Sequence, residues 1–137
     1  MRKLATVAMA AGLFLGGMGV AVADAWHYPE RLETTGAWLS DWSYTWEPRG
    51  RNHGGFHFKG DLIDRNHRDG HNVYVQARVE GYSWNRFNGV QMKTVRLDKI
   101  VYDGAAQYTS TADIRVCRDR GSLRPDNCSF TKPFKRR

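Results

Sequence analysis

The stretch FHFKGDLIDRNHRDGHNVYVQARVEGYSWNRF, Phe56 to Phe87, decides how the rest of the chain is read. Near its centre stands Asp69-Gly70, a pair that tolerates the positive φ angles of a two-residue hairpin turn. A turn there places Phe58 opposite Gly81, Gly60 opposite Val79 and Leu62 opposite Ala77, which makes one face mostly apolar. The other face then sets Lys59 against Glu80, Asp61 against Arg78 and Arg65 against Tyr74. A slip of one residue would send every side chain to the wrong face, so the agreement of turn and pattern points to a central antiparallel hairpin.

Working outward, Asn88-Gly89 offers a second hairpin turn, from which a third strand starts at Val90. Its register sets Ile100 opposite Ala77 and Tyr102 opposite Val75, but the apolar parity changes between Met92 and Val95, which predicts a bulge or break near Lys93 to Arg96. Upstream, Trp38, Ser40, Trp42, Tyr44 and Trp46 alternate with Leu39, Asp41, Ser43, Thr45 and Glu47, the period of a strand. Trp26 to Gly36 reads as irregular chain with a short edge strand or a turn of helix, and Pro48 to Gly55 (PRGRNHGG) as a flexible basic loop. Downstream, Tyr108, Ser110, Ala112, Ile114 and Val116 form one side of a further half-buried strand. Pro133 suits Ser129 to Phe134 to a sheet edge, and Lys135-Arg136-Arg137 reads as a frayed end. Many short strands with Gly-bearing turns predict an all-β fold, a small antiparallel β-sandwich or partly open barrel.

The first 23 residues read as a signal peptide to be cleaved: Arg2 and Lys3, an apolar run from Leu4 to Val20, and the small-x-small sequence Ala21-Val22-Ala23. That leaves Asp24 to Arg137, the 114 residues of one domain, with the formal charge lowered from +7 to +5 by loss of Arg2 and Lys3. Nothing later is apolar for long enough to span a bilayer, so the mature chain is expected to be secreted without a transmembrane segment. Both cysteines, Cys117 and Cys128, fall in this exported part and read as one disulfide pinning the loop 118–127. A basic, exported chain without a nucleic-acid motif excludes nucleic acid as a partner and suits attraction to an anionic polymer or surface.

Gly60 to Trp84 (GDLIDRNHRDGHNVYVQARVEGYSW), taken with the late Cys117 to Cys128 loop, resembles small, mostly uncharacterised exported β-rich proteins of Streptomyces-like actinobacteria. The resemblance covers about half of the mature chain. It implies secretion and a compact β fold, and it carries over no catalytic or binding residue.

Two readings of the aromatic strand stay open. Trp38, Trp42, Tyr44 and Trp46 fill the sandwich core, or they form a platform on which sugar rings stack. Trp84 and Phe87, near the second turn, form the other candidate binding surface, with Arg49 and Arg51 of the basic loop supplying charge. The pairs His53/His57 and His67/His71 have a spacing that in extended chain separates the rings by about 13 Å, too far for one ion. Asp61, Asp64, Asn66 and Asp69 do not follow the frame of a calcium loop. No metal and no cofactor is therefore expected. No nucleophile motif or carboxylate pair stands out, so the chain reads as no enzyme. The expectation is a monomeric, secreted binding module for polysaccharide or anionic cell-envelope polymer. The alternative is a secreted protein-binding factor, an inhibitor or effector, presenting the loop 118–127.

Overall fold

The computed structural model describes residues 24–137, so the signal peptide read from residues 1–23 lies outside the described residues. Nine strands form: β1 (Leu32–Thr34), β2 (Ala37–Trp46), β3 (Phe56–Asp64), β4 (Val73–Val79), β5 (Asn85–Asn88), β6 (Thr94–Val101), β7 (Thr111–Arg118), β8 (Asn127–Cys128) and β9 (Lys132–Lys135). One sheet has the order β1-β2-β3-β6, the other β5-β4-β7-β8, with β9 also pairing β7. All pairings are antiparallel. Apolar residues from both sheets, among them Phe56, Phe58 and Leu62 facing Val73, Val75, Ile114 and Val116, make one core between two layers. The all-β fold with one disulfide therefore holds, as a two-sheet arrangement.

The central hairpin does not form. β3 pairs with β2 and β6, while β4 pairs with β5 and β7 in the opposite sheet. The alternation was real, since Phe56, Phe58, Gly60, Leu62 and Asp64 are buried in β3 and Val73, Val75, Ala77 and Val79 in β4. An apolar face shared within a hairpin and two apolar faces meeting across a sandwich produce the same pattern. The connection decides between them. Residues 65–72 form a crossing between sheets, in which Asp64 Oδ1 accepts the Asn66 N–H at 3.1 Å and Oδ2 accepts the Met92 N–H at 2.8 Å. Asp69-Gly70 still bends the chain, with Gly70 at φ +71° and the Asp69 carboxylate accepting the His71 N–H, but it joins no hairpin.

The expected charge pairs change with the pairing. Asp61 meets Arg96 at 3.2 Å and Arg78 meets Asp113 at 2.9 Å. Lys59 lies 4.0 Å from Asp98, and Glu80 accepts the Ser110 and Thr111 N–H groups.

The arm expected from Asn72 to Phe87 is broken at Glu80-Gly81, which is the turn of a β4–β5 hairpin. Both residues have positive φ, +52° and +71°, and the Tyr82 N–H donates to the Val79 carbonyl at 2.9 Å. Asn88-Gly89 is no hairpin turn either. It returns the chain to the first sheet, with the Gly89 N–H on the Val73 carbonyl at 2.8 Å. The parity break near Lys93 is the start of β6, preceded by Met92 at φ +64°.

In β2 the strict alternation also fails. Ser40 pairs Asp61 and Ser43 pairs Lys59, so Asp41 and Trp42 together face Gly60 in a β-bulge, with Asp41 at φ +46°. Before the bulge Ala37 and Leu39 face the core; after it Trp42 and Trp46 do. Gly60 makes this possible, because a Cβ there would lie 2.5 Å from the Trp42 Cβ. At the end of the chain, the expected edge strand is β9. Lys135 belongs to it, and the Arg136 N–H donates to the Ser110 carbonyl at 2.7 Å, so this end is anchored and not frayed.

Candidate functional site

Three segments distant in sequence converge at one end of the sandwich: the basic loop 48–55, the loop 102–110 and the chain end after β9. The Gly50 N–H donates to the Gln107 carbonyl at 3.2 Å, and Gly54 packs so closely that a Cβ would lie 2.9 Å from the Gln107 carbonyl oxygen. His53 stacks on Tyr102 at 4.6 Å, and its Nδ1 lies 2.8 Å from the Ala106 carbonyl oxygen. The loop read as flexible is thus tied to its neighbour across the sandwich end. Arg136 donates to the carbonyls of Gly54 (2.9 Å) and Glu47 (2.8 Å), and its guanidinium lies 4.3 Å from the Tyr108 ring centroid. Arg49 approaches the same ring at 5.2 Å. Two guanidiniums from opposite ends of the sequence therefore meet on one tyrosine.

Beside them is a cavity of about 620 Å³ whose lining includes His27, Tyr44, Lys135, Arg136 and Arg137. His27 stacks on Tyr44 at 4.9 Å. The Tyr44 hydroxyl has its pKa raised, first by burial and then by the Asp24 carboxylate, with Arg137 opposing. It shares the cavity with that carboxylate and with the cations of Lys135, Arg136 and Arg137. Arg51, the other expected charge of the loop, is exposed and lies 3.5 Å from the buried Glu47 carboxylate. No family model, curated protein or solved structure matches the chain. The reading of the site therefore rests on its geometry.

The other expected binding residues are scattered. Trp42 and Trp46 are 2% and 3% exposed and belong to the core, so neither offers a surface to a ligand. The bulge and the second sheet enclose them: Trp42 packs edge-on against Phe134 at 5.8 Å, and its Nε1–H donates to the Glu30 carbonyl at 2.8 Å. Trp38, on the other side of the bulge, lies outside, with the guanidiniums of Arg31 and Arg65 over its ring at 3.8 and 4.0 Å. Trp84 is half-buried on the outer face of the second sheet, where Arg78 and Arg115 lie over its ring at 4.3 and 4.4 Å. Phe87 turns inward against Phe58 at 5.6 Å and forms part of a cleft of about 480 Å³ between β5 and β6.

The disulfide joins Cys117 to Cys128 as directly opposed residues of β7 and β8. At its loop, Asp126 accepts the Arg120 N–H and the Tyr74 hydroxyl, the latter at 2.5 Å, while Asp119 accepts the Gly121 N–H and pairs with Arg86 at 2.8 Å. The Gly121 N–H and then Arg86 lower the Asp119 pKa. Burial, followed by the bond to Asp126, pushes Tyr74 up to about 12. Leu123 at the loop tip is 97% exposed.

One cluster was not foreseen. His57 of β3 holds Nδ1 at 2.8 Å from the buried Glu47 carboxylate and Nε2 at 2.5 Å from Asp98 of β6. Both ring nitrogens lie within hydrogen-bond distance of a carboxylate, which ties β3 to β6 and to the residue that follows β2. Among the described residues, no three His, Cys, Asp or Glu side chains form a group able to hold a metal ion.

The composition of the loop singles out Arg49 and Arg51; of these the structure places Arg49 over Tyr108 and Arg51 beside Glu47. Sequence reading missed Tyr108 and the ordered Lys135 and Arg136, because only the β7–β9 pairing brings them to that loop.

Proposed function

We propose that the chain is a secreted, non-catalytic module that binds an anionic polymer of the cell envelope or extracellular space through the basic end of the sandwich. The observation that carries this is the meeting of Arg49 and Arg136 on Tyr108 beside the cavity flanked by Lys135 and Arg137. Flexible cations lose conformational entropy when they grip a ligand; here Arg136 is already fixed by two carbonyls, which reduces that cost. A patch of one sign also raises the rate at which an oppositely charged polymer is captured. The leader-like first 23 residues and the disulfide support export. Among the described residues no helix is long and apolar enough to cross a membrane.

The test is co-sedimentation of the mature protein with insoluble anionic and neutral polymers over a salt series. The anionic polymer is retained at low salt and released as salt screens the charges, and Arg49→Glu with Lys135→Glu weakens retention about tenfold or more. Retention unchanged by those reversals removes the basic end from the function.

A second reading has one observation in its favour. Leu123 stands almost fully exposed on a loop whose base is closed by the disulfide, as in a loop presented to a protein partner. If the polymer series fails, Leu123→Asp is the variant with which to probe protein binding.

A further inference from the structure

Along the outer edge of β2 runs the N-terminal segment, and it touches two cavities in succession. Asp24, Ala25 and His27 border the basic cavity, and Tyr28, Pro29 and Arg31 border a cleft of about 450 Å³ on the bulge side. The cleft is framed by Tyr28, Pro29, Arg31, Ser40, Asp41 and Trp42. Its chemistry differs from that of the basic end. Tyr28 presents its ring with 80% exposure, open to a ligand. Trp42, held by the Glu30 carbonyl, is its buried neighbour. Arg31 is fixed by Glu33 at 2.7 Å and by the Trp38 ring.

Asp41 is the telling residue. The bulge explains why this position has positive φ, since the chain must shift its core parity there. Aspartate is one of the few residue types that adopt this backbone. The Asp41 carbonyl accepts Arg96 at 3.1 Å, while its exposed carboxylate has no hydrogen-bond or ion-pair partner among the described residues. The bulge thus places a solvent-accessible carboxylate on the same cleft as the exposed Tyr28 ring, and bulges commonly re-aim side chains near ligand sites.

We infer that this cleft is a subsite for a neutral sugar ring, adjoining the basic cavity that takes an acidic group of the same polymer. The flat C–H face of a pyranose stacks on Tyr28, and vicinal hydroxyls donate to the Asp41 carboxylate. His27 of the basic cavity and Tyr28 of the cleft are chain neighbours, so one extended ligand lying along this segment can reach both. The ligand class is therefore a polysaccharide in which neutral and acidic sugars alternate, because an acidic ring at the cleft would be repelled by Asp41. This rests on the polymer reading of the basic end given above.

The experiment is titration of the mature protein, followed by tryptophan fluorescence and calorimetry, with three probes: a hyaluronan decasaccharide, an oligogalacturonate of equal length and inorganic polyphosphate. The first alternates neutral and acidic rings, the second is acidic throughout, and the third has charge without sugar. Hyaluronan is expected to bind at least tenfold more tightly than oligogalacturonate. Asp41→Asn, which the backbone tolerates, should lower hyaluronan affinity about tenfold and leave oligogalacturonate equal or tighter; Tyr28→Ala should weaken hyaluronan by a similar factor and Tyr28→Phe little. The inference is overturned if both Asp41→Asn and Tyr28→Ala bind hyaluronan as the parent does, or if only polyphosphate binds; in either case the basic end survives. If none of the three binds, the basic end fails together with the subsite.

Discussion

Residues 65–72 and residues 80–84 both follow a strand whose alternate side chains are buried, and both contain a glycine at positive φ. The first connection crosses from one sheet to the other; the second folds back within its sheet. The difference lies in what ties each one down. In the hairpin, the Glu80 and Gly81 backbones close a two-residue turn and the Glu80 carboxylate holds the N–H groups at the start of β7. In the crossing, the buried Asp64 carboxylate accepts the N–H of Asn66 and, across the chain, that of Met92, so it joins two of the three sheet-to-sheet passages at one point. Glycine permits a bend in both; each also has a carboxylate accepting two N–H groups, and the difference is where those groups lie, at the start of β7 in the same sheet for Glu80 and in the second passage between sheets for Asp64.

The comparison is broken most severely on β3. Gly60→Ala puts a Cβ 2.5 Å from that of Trp42 and 2.9 Å from Leu39 Cδ1, neither of which is the loose end of a long side chain. The expected loss is about 3 kcal/mol in urea unfolding, from overpacking at the bulge. Asp64→Ala is next. It leaves the Asn66 and Met92 N–H groups without their acceptor and should cost about 2 kcal/mol, with faster amide exchange at both positions. Gly81→Ala tests the hairpin by itself. A Cβ there meets nothing within 4 Å, so the expected cost of about 1 kcal/mol is entirely that of φ +71°. If Gly81→Ala proves costlier than Asp64→Ala, turn chemistry outweighs the buried carboxylate and the contrast is reversed.

The smallest effect at neutral pH concerns Tyr74 of β4, the strand that both connections reach. Its pKa of about 12 lies above the ordinary value of 10.0, so the unfolded chain releases this proton first as the solution is made alkaline. The stability contributed is fully present below pH 10 and is lost as pH rises from 10 towards 12. Tyr74→Phe should flatten the alkaline fall in melting temperature over that window, and at pH 7 it should lower the melting temperature by no more than the lost bond to Asp126 accounts for. An unchanged slope would show that Asp126 does not hold the phenol proton.

Which residues are buried was largely legible from alternation: β3, β4 and β7 have the inward faces expected of them. Which strands are neighbours was not. Period-two patterning identifies an apolar face without saying whether its complement lies beside it or across a core. Glu80 and Asp41 deepened the error, because neither residue type marks a turn or bulge as Asn-Gly does, although both take positive φ. At the basic end, Arg49 was evident from loop composition. Tyr108 and Arg136 were not, since each looks ordinary until tertiary pairing sets them face to face. The core tryptophans were misassigned to one face with Trp38 for the same reason: one extra residue in β2 is invisible in a strand that reads well without it.

Asp24 and Arg137 border the same cavity. A purification handle fused to either of them would hang across the mouth of the proposed polymer site, and a polyhistidine or polyanionic handle would bring its own charge there. Immobilising the protein through an engineered side chain at the exposed 122–124 loop tip, on the disulfide-closed side, leaves that mouth open and makes surface-based binding assays interpretable.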